Sequence, residues 1–446
     1  MKNPVLPHGA SSKEKAILTI HPRSSERGIL AFSRKKLQLQ GARMPAFNRQ
    51  VRNEAYIEVR RNDGPCVSRG KMKRNAADGL FTKPSTLGFI MTPNWRLFRN
   101  TSRSVSTAEG LSVDDTLPQS VALQGSPPIL HLYTFVPSVI VGKYQDIETA
   151  LKLDRCQARG IEYNRRSTGG GTVIMGPQII ALGLGINVDS PFLKSGSMAG
   201  VFESVGGALI KALKKLGIPA CFRPKNDLEV GGKKIAGLSA ASETGKSLLF
   251  HTSFLVDFDV ELMMDVMNTP LMKLSDKGYN CFSQRVTTVR QELGKRIAVT
   301  SVMDAIQESF QGTFGIEFQE DQPDPFERET IQRFTKERYT NQEWIFSHKH
   351  PRSRMGVGRL KTKGGLLEVY LSLSGGAIEN VVITGDFFST SEDINRLENT
   401  LKWASAREES IREKLSEIWR EDMIYGLDVP TLAKAILTAK ENQVRL

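Results

Sequence analysis

The texture of the chain changes near Asn94, and that change sets how much of it can build a core. Residues 1–90 carry 18 Lys and Arg against 6 Asp and Glu, mixed with Ser, Gly and Asn and without a sustained period of 3.6 or 2. A segment of that kind buries too little apolar surface to offset its chain entropy, so we expect a basic, mostly disordered extension. From Trp95-Arg96-Leu97-Phe98 onward, apolar runs alternate with turn residues, and the net charge falls from +12 over the extension to +1 over the rest. The overall +13 therefore belongs to the extension, and no nucleic-acid surface is expected on the folded part. Three origins fit such an extension: a start codon placed upstream of a true start at Met91, an organelle transit segment, or a basic interaction arm. The opening residues lack both an amphipathic Arg-rich helix and an apolar run after Met1, which argues against transit and secretion.

The longest apolar stretch, Val173 to Ile186, is 14 residues interrupted by Gly176, Pro177 and Gln178. About 20 residues are needed to cross a bilayer, so no membrane helix is expected. Cys66, Cys156, Cys221 and Cys281 lie far apart with no C-x-x-C pair, which disfavours a zinc site or a disulfide framework and suits a reducing compartment.

The folded part divides in two. A first domain, 91–322, alternates strands and helices. Strands are expected at Ile129–Tyr133, Leu228–Val230, Leu248–Val256 and Val286–Val289, with Val136–Gly142 a turn into a buried strand, and helices at Ile147–Arg159 and along Phe202, Val205, Leu209, Leu213 and Leu216, the last stopped by Gly217. Residues 321–345 are charged and read as a solvated connection. A second domain, 345–446, opens near Trp344, with alternating Leu367, Val369, Leu371 and Leu373, a Gly375-Gly376 turn, a return strand and a helix through Ile411, Leu415, Ile418 and Trp419.

Two clusters can carry chemistry. Arg165-Arg166-Ser167-Thr168-Gly169-Gly170-Gly171-Thr172-Val173 sets two guanidinium groups before three glycines, whose N–H groups can face an anion and whose missing Cβ atoms admit close approach; a tight turn beside solvated arginines fits the same residues. Asn226-Asp227-Leu228-Glu229-Val230-Gly231-Gly232-Lys233-Lys234-Ile235-Ala236-Gly237 reads as a hairpin in which Ile235 faces the core. Lys234 then points either into a ligand space or into water. Gly245-Lys246-Ser247 is not a P-loop, because Ala240 stands where the first glycine is required.

Together and in this order, the two clusters resemble the lipoate–protein ligase family of the biotin/lipoate attachment superfamily. Trp95-Arg96-Leu97, Gly142-Lys143-Tyr144-Gln145, Gly278 to Val286 and Gly375 to Phe388 fall into register with it, and His251 sits where the family has a histidine at the start of a strand. Met175-Gly176 departs from the histidine–aspartate of many relatives, and the helix usual after the opening strand is weak around Ser106 to Ser120. The resemblance implies an α+β fold: a mixed-sheet ligase-like catalytic domain followed by a small α+β accessory domain.

It also implies acyl-adenylate chemistry with ATP and Mg²⁺, joining lipoate or octanoate to a lysine on lipoyl domains of 2-oxoacid dehydrogenase acyltransferases or on the glycine cleavage H-type protein, in the cytoplasm, or in the mitochondrial matrix if residues 1–90 hold a transit segment. By motif position, Lys234 would be the catalytic charge stabiliser and Asp227 the metal ligand. Arg165, Arg166, Gly169, Gly170, Gly171, Thr172, Asn226, Gly237 and His251 would bind substrate or ATP. The runner-up is an octanoyltransferase in which Cys221, placed like the nucleophile of one group of relatives, carries the acyl group as a thioester.

Overall fold

The computed structural model describes residues 92–195, 197–223, 226–243, 245–268, 285–347, 355–421 and 423–443; the basic extension, Cys66 and Cys281 lie outside them. The first domain runs β1 (Asn94–Arg99), α1 (Thr107–Gln124), β2 (Ile129–Thr134), β3 (Ser138–Val141), α2 (Ile147–Ala150), α3 (Leu153–Ala158), β4 (Glu162–Arg165), β5 (Val173–Met175), β6 (Ile179–Asn187), α4 (Met198–Lys215), β7 (Cys221–Arg223), β8 (Asp227–Val230), β9 (Lys233–Ala241), β10 (Ser247–Leu255), α5 (Val260–Val266), α6 (Val289–Leu293), α7 (Val299–Phe314) and β11 (Glu317–Glu320). Then come α8 (Pro325–Phe334), a π-helical turn (Thr335–Tyr339) and α9 (Gln342–Ile345). The second domain holds β12 (Gly356–Lys361), β13 (Leu366–Ser374), β14 (Ala377–Gly385), α10 (Ser391–Leu401), α11 (Glu408–Ile418) and α12 (Val429–Glu441).

The main sheet has the order β11-β1-β2-β6-β10-β9-β8-β7, parallel across β11, β1 and β2 and antiparallel beyond. It is the expected mixed sheet. Strand β6 shows how it is sandwiched. Ile180, Leu182, Leu184 and Ile186 pack with Phe202, Val205 and Leu209 of α4 and with Val302, Ile306 and Phe310 of α7. On the opposite face Gly183 and Gly185 leave room for α1: a Cβ at 183 would overlap the Asp114 carboxylate, and one at 185 would overlap Leu117. A three-stranded sheet, β4-β3-β5, lies on this second face with its own apolar cluster of Val139, Val141, Ile147 and Ile174. In the second domain β12-β13-β14 packs under α10, α11 and α12, with Gly375 and Gly376 at φ +58° and +87° in the hairpin turn.

Four sequence expectations change. The helix expected over Ile147–Arg159 breaks at Leu151, which is extended and bridges Met267, while Lys152 N–H donates to Val266 O. Val286–Val289 is no strand; Val286 makes one bridge to Lys234, and Val289 begins α6 under a Thr288 cap. The weak Ser106–Ser120 region is α1, whose apolar pattern is faint because Ser112, Asp114, Asp115, Thr116 and Ser120 are all buried. Residues 321–345 are not a solvated connection. An Asp324/Glu327 capping box starts α8, fully buried Glu327 takes Arg96 at 2.6 and 2.9 Å and the Ser120 hydroxyl, and Trp344 and Ile345 pack in the first domain. Among the described residues no helix is long and apolar enough to cross a membrane.

Candidate active site

A cavity of about 110 Å³ opens between α1, the β3–β5 layer and the face of β9 and β10. Its lining is mixed: Leu111, Phe135, Ile140, Val173, Met175 and Ala181 supply apolar surface, and Arg166, Asn226, Lys234, Ser239, His251 and Ser253 supply polar groups. A cleft of this composition suits a ligand with an apolar tail and a charged head.

The β8–β9 hairpin supplies part of the polar lining. Gly231 and Gly232, at φ +55° and +78°, make the turn that side chains would resist, and Lys233 is exposed while Lys234 faces the cavity. The Lys234 ammonium sits 2.7 Å from Asp227 Oδ1 and lies over Gly237, where a Cβ would come within 2.6 Å of Nζ. Its backbone is braced from outside, Lys234 N–H donating to Arg285 O and Thr287 N–H to Lys234 O; the earlier part of the Gly278–Val286 stretch lies outside the described residues. Asn226 Nδ2 donates to Leu238 O at 2.9 Å, which orients its amide at the wall.

The arginine–glycine loop forms the facing wall, and it separates the two arginines. Arg166 lines the cavity and donates to Thr168 Oγ1 and to the carbonyls of Gly169 and Gly171, with burial drawing its pKa down to about 10. Arg165 points away. Its buried guanidinium donates to the carbonyls of Gly142, Lys143, Gln145, Trp344 and Ile345, and Arg165 is not among the residues that line the cavity. Gly170, Gly171 and Thr172 line the cavity, and Thr172 donates to Gln145 Oε1. Gly169 faces the second domain: its missing Cβ would meet Phe387 O, and Gly170 N–H donates to that same oxygen at 3.1 Å. Tyr144 completes this contact, stacked on Phe387 and donating to Ser389 O.

His251 is in the middle of β10 rather than at the start of a strand. Its ring reaches Thr168 Oγ1 at 3.2 Å and Asp114 Oδ2 at 2.9 Å. Asp114 also takes His131 Nδ1 and the Tyr133 hydroxyl, each at 2.7 Å. Burial would raise this carboxyl, but His251 and His131 outweigh it and hold it down at about 2. Asp115, its neighbour, accepts from the Ser167 and Tyr339 hydroxyls and from Arg338 at 2.6 Å; burial pushes its pKa up against the pull of Arg338. Neither aspartate is among the sequence candidates. The signal that points to them is the alternation Gly183-Leu184-Gly185 in β6, which marks close backbone approach by another element.

Asp227 is the carboxylate beside Lys234, and among the described residues no group of three or more His, Cys, Asp or Glu is placed so that it could hold a metal ion. A hard cation there would take one carboxylate and draw its other oxygens from a bound phosphate, a donor set that suits Mg²⁺. Cys221 lies on edge strand β7 opposite Glu229, which in turn pairs with Lys234, and it is not among the cavity-lining residues.

Residues 106–311 match the family model described as the lipoyl protein ligase A/B catalytic domain, and residues 358–436 match the bacterial lipoate protein ligase C-terminus. The octanoyltransferase LipM of Clostridioides difficile is 27% identical, over 56% of this chain and 97% of its own. The bipartite lipoate protein ligase of Thermoplasma acidophilum, solved in a study that includes its E2 lipoyl domain, superposes with a TM-score of 0.51 at 25% identity, over 59% of this chain and 99% of that one. P. falciparum LipL1, crystallised with lipoate, shares the fold over 77% of this chain and 99% of its own, with a TM-score of 0.62 at 17% identity.

Proposed function

The chain belongs to the lipoyl protein ligase A/B family, and on that premise we propose that it activates lipoate or octanoate with ATP and transfers the acyl group to a lysine of a lipoyl domain. The observation that carries the ligase reading is the second domain, which matches a ligase C-terminus and seats Phe387 directly on the cavity loop. LipM supports the other reading, acyl transfer through a cysteine. Yet nearly all of that transferase aligns with 56% of this chain, and Cys221 stands outside the cavity lining.

In the ligase reading the apolar side chains of the cavity, Met175 and Leu111 among them, take the acyl tail, and the carboxylate lies toward Lys234. The acid attacks the α-phosphate of ATP and expels pyrophosphate; a carrier lysine amine then attacks the adenylate carbonyl and AMP leaves. Such chemistry needs orientation and charge stabilisation rather than an enzyme nucleophile. Lys234, a compact charge with rotatable donors, serves the phosphate oxygen in the first step and the carbonyl oxygen in the second. Asp227 holds Lys234 in place, Asn226 presents its amide at the phosphate, and Arg166 adds positive charge on the opposite wall. Asp227 would also hold Mg²⁺, which when bound neutralises phosphate charge. His251, tied between Thr168 and Asp114, fixes the loop against the sheet.

The carrier is a lipoyl domain such as those of 2-oxoacid dehydrogenase acyltransferases or the glycine cleavage H-type protein, and the setting a reducing one such as the cytoplasm. The test is exchange of labelled pyrophosphate into ATP with lipoate, octanoate or biotin. We expect exchange with the first two; absence of exchange with every acid, together with acyl transfer from octanoyl carrier protein without ATP, would establish the transferase instead.

A further inference from the structure

Between the two family-model matches lie residues 312–357, and groups within this stretch grip the arginine–glycine loop from behind. Trp344 O and Ile345 O each accept from Arg165 Nε at 3.1 Å, and the Trp344 indole N–H donates to Arg165 O at 3.0 Å. Tyr339 O accepts from Asn164 Nδ2 at 2.9 Å. The hydroxyl of Tyr339 and the guanidinium of Arg338 both donate to Asp115, the carboxylate that takes the Ser167 hydroxyl. Asn164, Arg165 and Ser167, the residues around cavity-lining Arg166, are thus all fastened to one segment directly or through Asp115.

That segment is itself locked. Arg338 stacks over Phe334 at 4.5 Å and over Trp344 at 5.1 Å, and its second nitrogen donates to Glu243 at 3.0 Å. Glu243 reaches Lys143 at 3.4 Å, and Lys143 N–H donates to Thr168 O. The π-helical turn that carries Arg338 and Tyr339 is a rare backbone form that recurs at functional sites. Each hydrogen bond described for the Arg165 guanidinium ends on a carbonyl oxygen, so two of its five acceptors come from this segment. A buried cation deprived of them would be left poorly solvated, and the loop would have to shift.

We infer that residues 335–345 are a third component of the site, in which Arg338 and Trp344 act as positioning residues that set the Gly170–Thr172 wall without touching substrate. The inference rests on the proposed function only for what that wall contacts. The test uses the full chain with Trp344→Phe, which removes one donor and keeps the ring, with Arg338→Ala, and with Arg338→Lys. Amide hydrogen exchange across 165–172 should quicken at least ~10-fold in the first two while β13 and β14 stay unchanged, as local opening does. The KM for the acid should rise about 10-fold with kcat nearly preserved, and Arg338→Lys should recover part of that loss. Unchanged exchange in the loop, or a rise spread equally through β13 and β14, would overturn the inference. A wild-type chain that uses none of the acids would refute the proposed function, whereas the exchange result decides the positioning role by itself.

Discussion

Gly237→Ala asks where the Lys234 ammonium must lie. A Cβ at 237 would stand 2.6 Å from Nζ and 2.8 Å from Cε, against the 3.4 Å at which ordinary contact begins. The end of the lysine must therefore retreat by about 0.6–0.8 Å, away from its place beside Asp227 and the cavity. The fold absorbs this cheaply, because the clash is with the free end of a long side chain and Gly237 is not among the residues of positive φ. Losing the glycine's freedom in the unfolded chain offsets the contact by about 0.4–1 kcal/mol. The chemistry should not absorb it, since displacing a charge-stabilising group by about 1 Å costs on the order of 10²-fold. Lipoate-dependent pyrophosphate exchange should fall by about 100-fold while thermal unfolding moves by no more than about 2 °C. Wild-type exchange in a normally folded Gly237→Ala variant would refute the argument, because the ammonium would then act from a place the cavity does not define.

Lys234→Ala should lower both adenylation and transfer by about 100-fold or more. Lys233→Ala, changing the exposed neighbour, should leave both near wild type; equal losses would show a hairpin effect instead. Cys221→Ser should keep most turnover, and intact-mass analysis of the wild type after octanoyl carrier protein alone should show no thioester; an acylated Cys221 would favour the transferase. Glu398 accepts from Ile383 N–H at 2.8 Å, yet burial raises its pKa to about 7. Its folded pKa exceeds the ordinary 4.5, so its contribution to stability is full below about pH 4.5 and is lost as pH rises through 7, a span of about 3 kcal/mol. Glu398→Gln should flatten that decline in denaturant titrations from pH 5 to 8, and an unchanged slope would contradict it.

What was legible in the sequence follows from which residues face a constraint that type alone can meet. Gly231-Gly232 and Gly169-Gly170 reveal themselves because a positive φ or a close contact excludes side chains, and the lysine and asparagine come with the hairpin. Arg165 and Arg166 could not be told apart, since adjacent residues leave a strand end in opposite directions and only the packed partners say which faces the cavity. Asp114 and Asp115 were hidden for the opposite reason: periodicity counts a buried carboxylate as exposed, and their partners come from β2, β10 and the π-helical turn. The same blindness made 321–345 look solvated. Composition does not distinguish a charge in water from one paired in a core, as Glu327 is with Arg96.

The parallel pairing of β1 with β11 ties the start of the first domain to its end. While the chain is being made, β1 can take β2 on one side, but its other edge waits for Glu317–Glu320, and Arg96 waits for Asp321 and Glu327. At a synthesis rate of about 5–20 residues per second, the intervening two hundred or so residues take roughly 10–40 s to emerge. For that interval the nascent chain exposes an unpaired strand edge, the kind of template on which other chains add. Yield in a heterologous host should therefore depend on translation speed and holding chaperones, and a ribosome that stops before Glu317 leaves a product whose β1 edge lacks its short, glutamate-bearing cover strand.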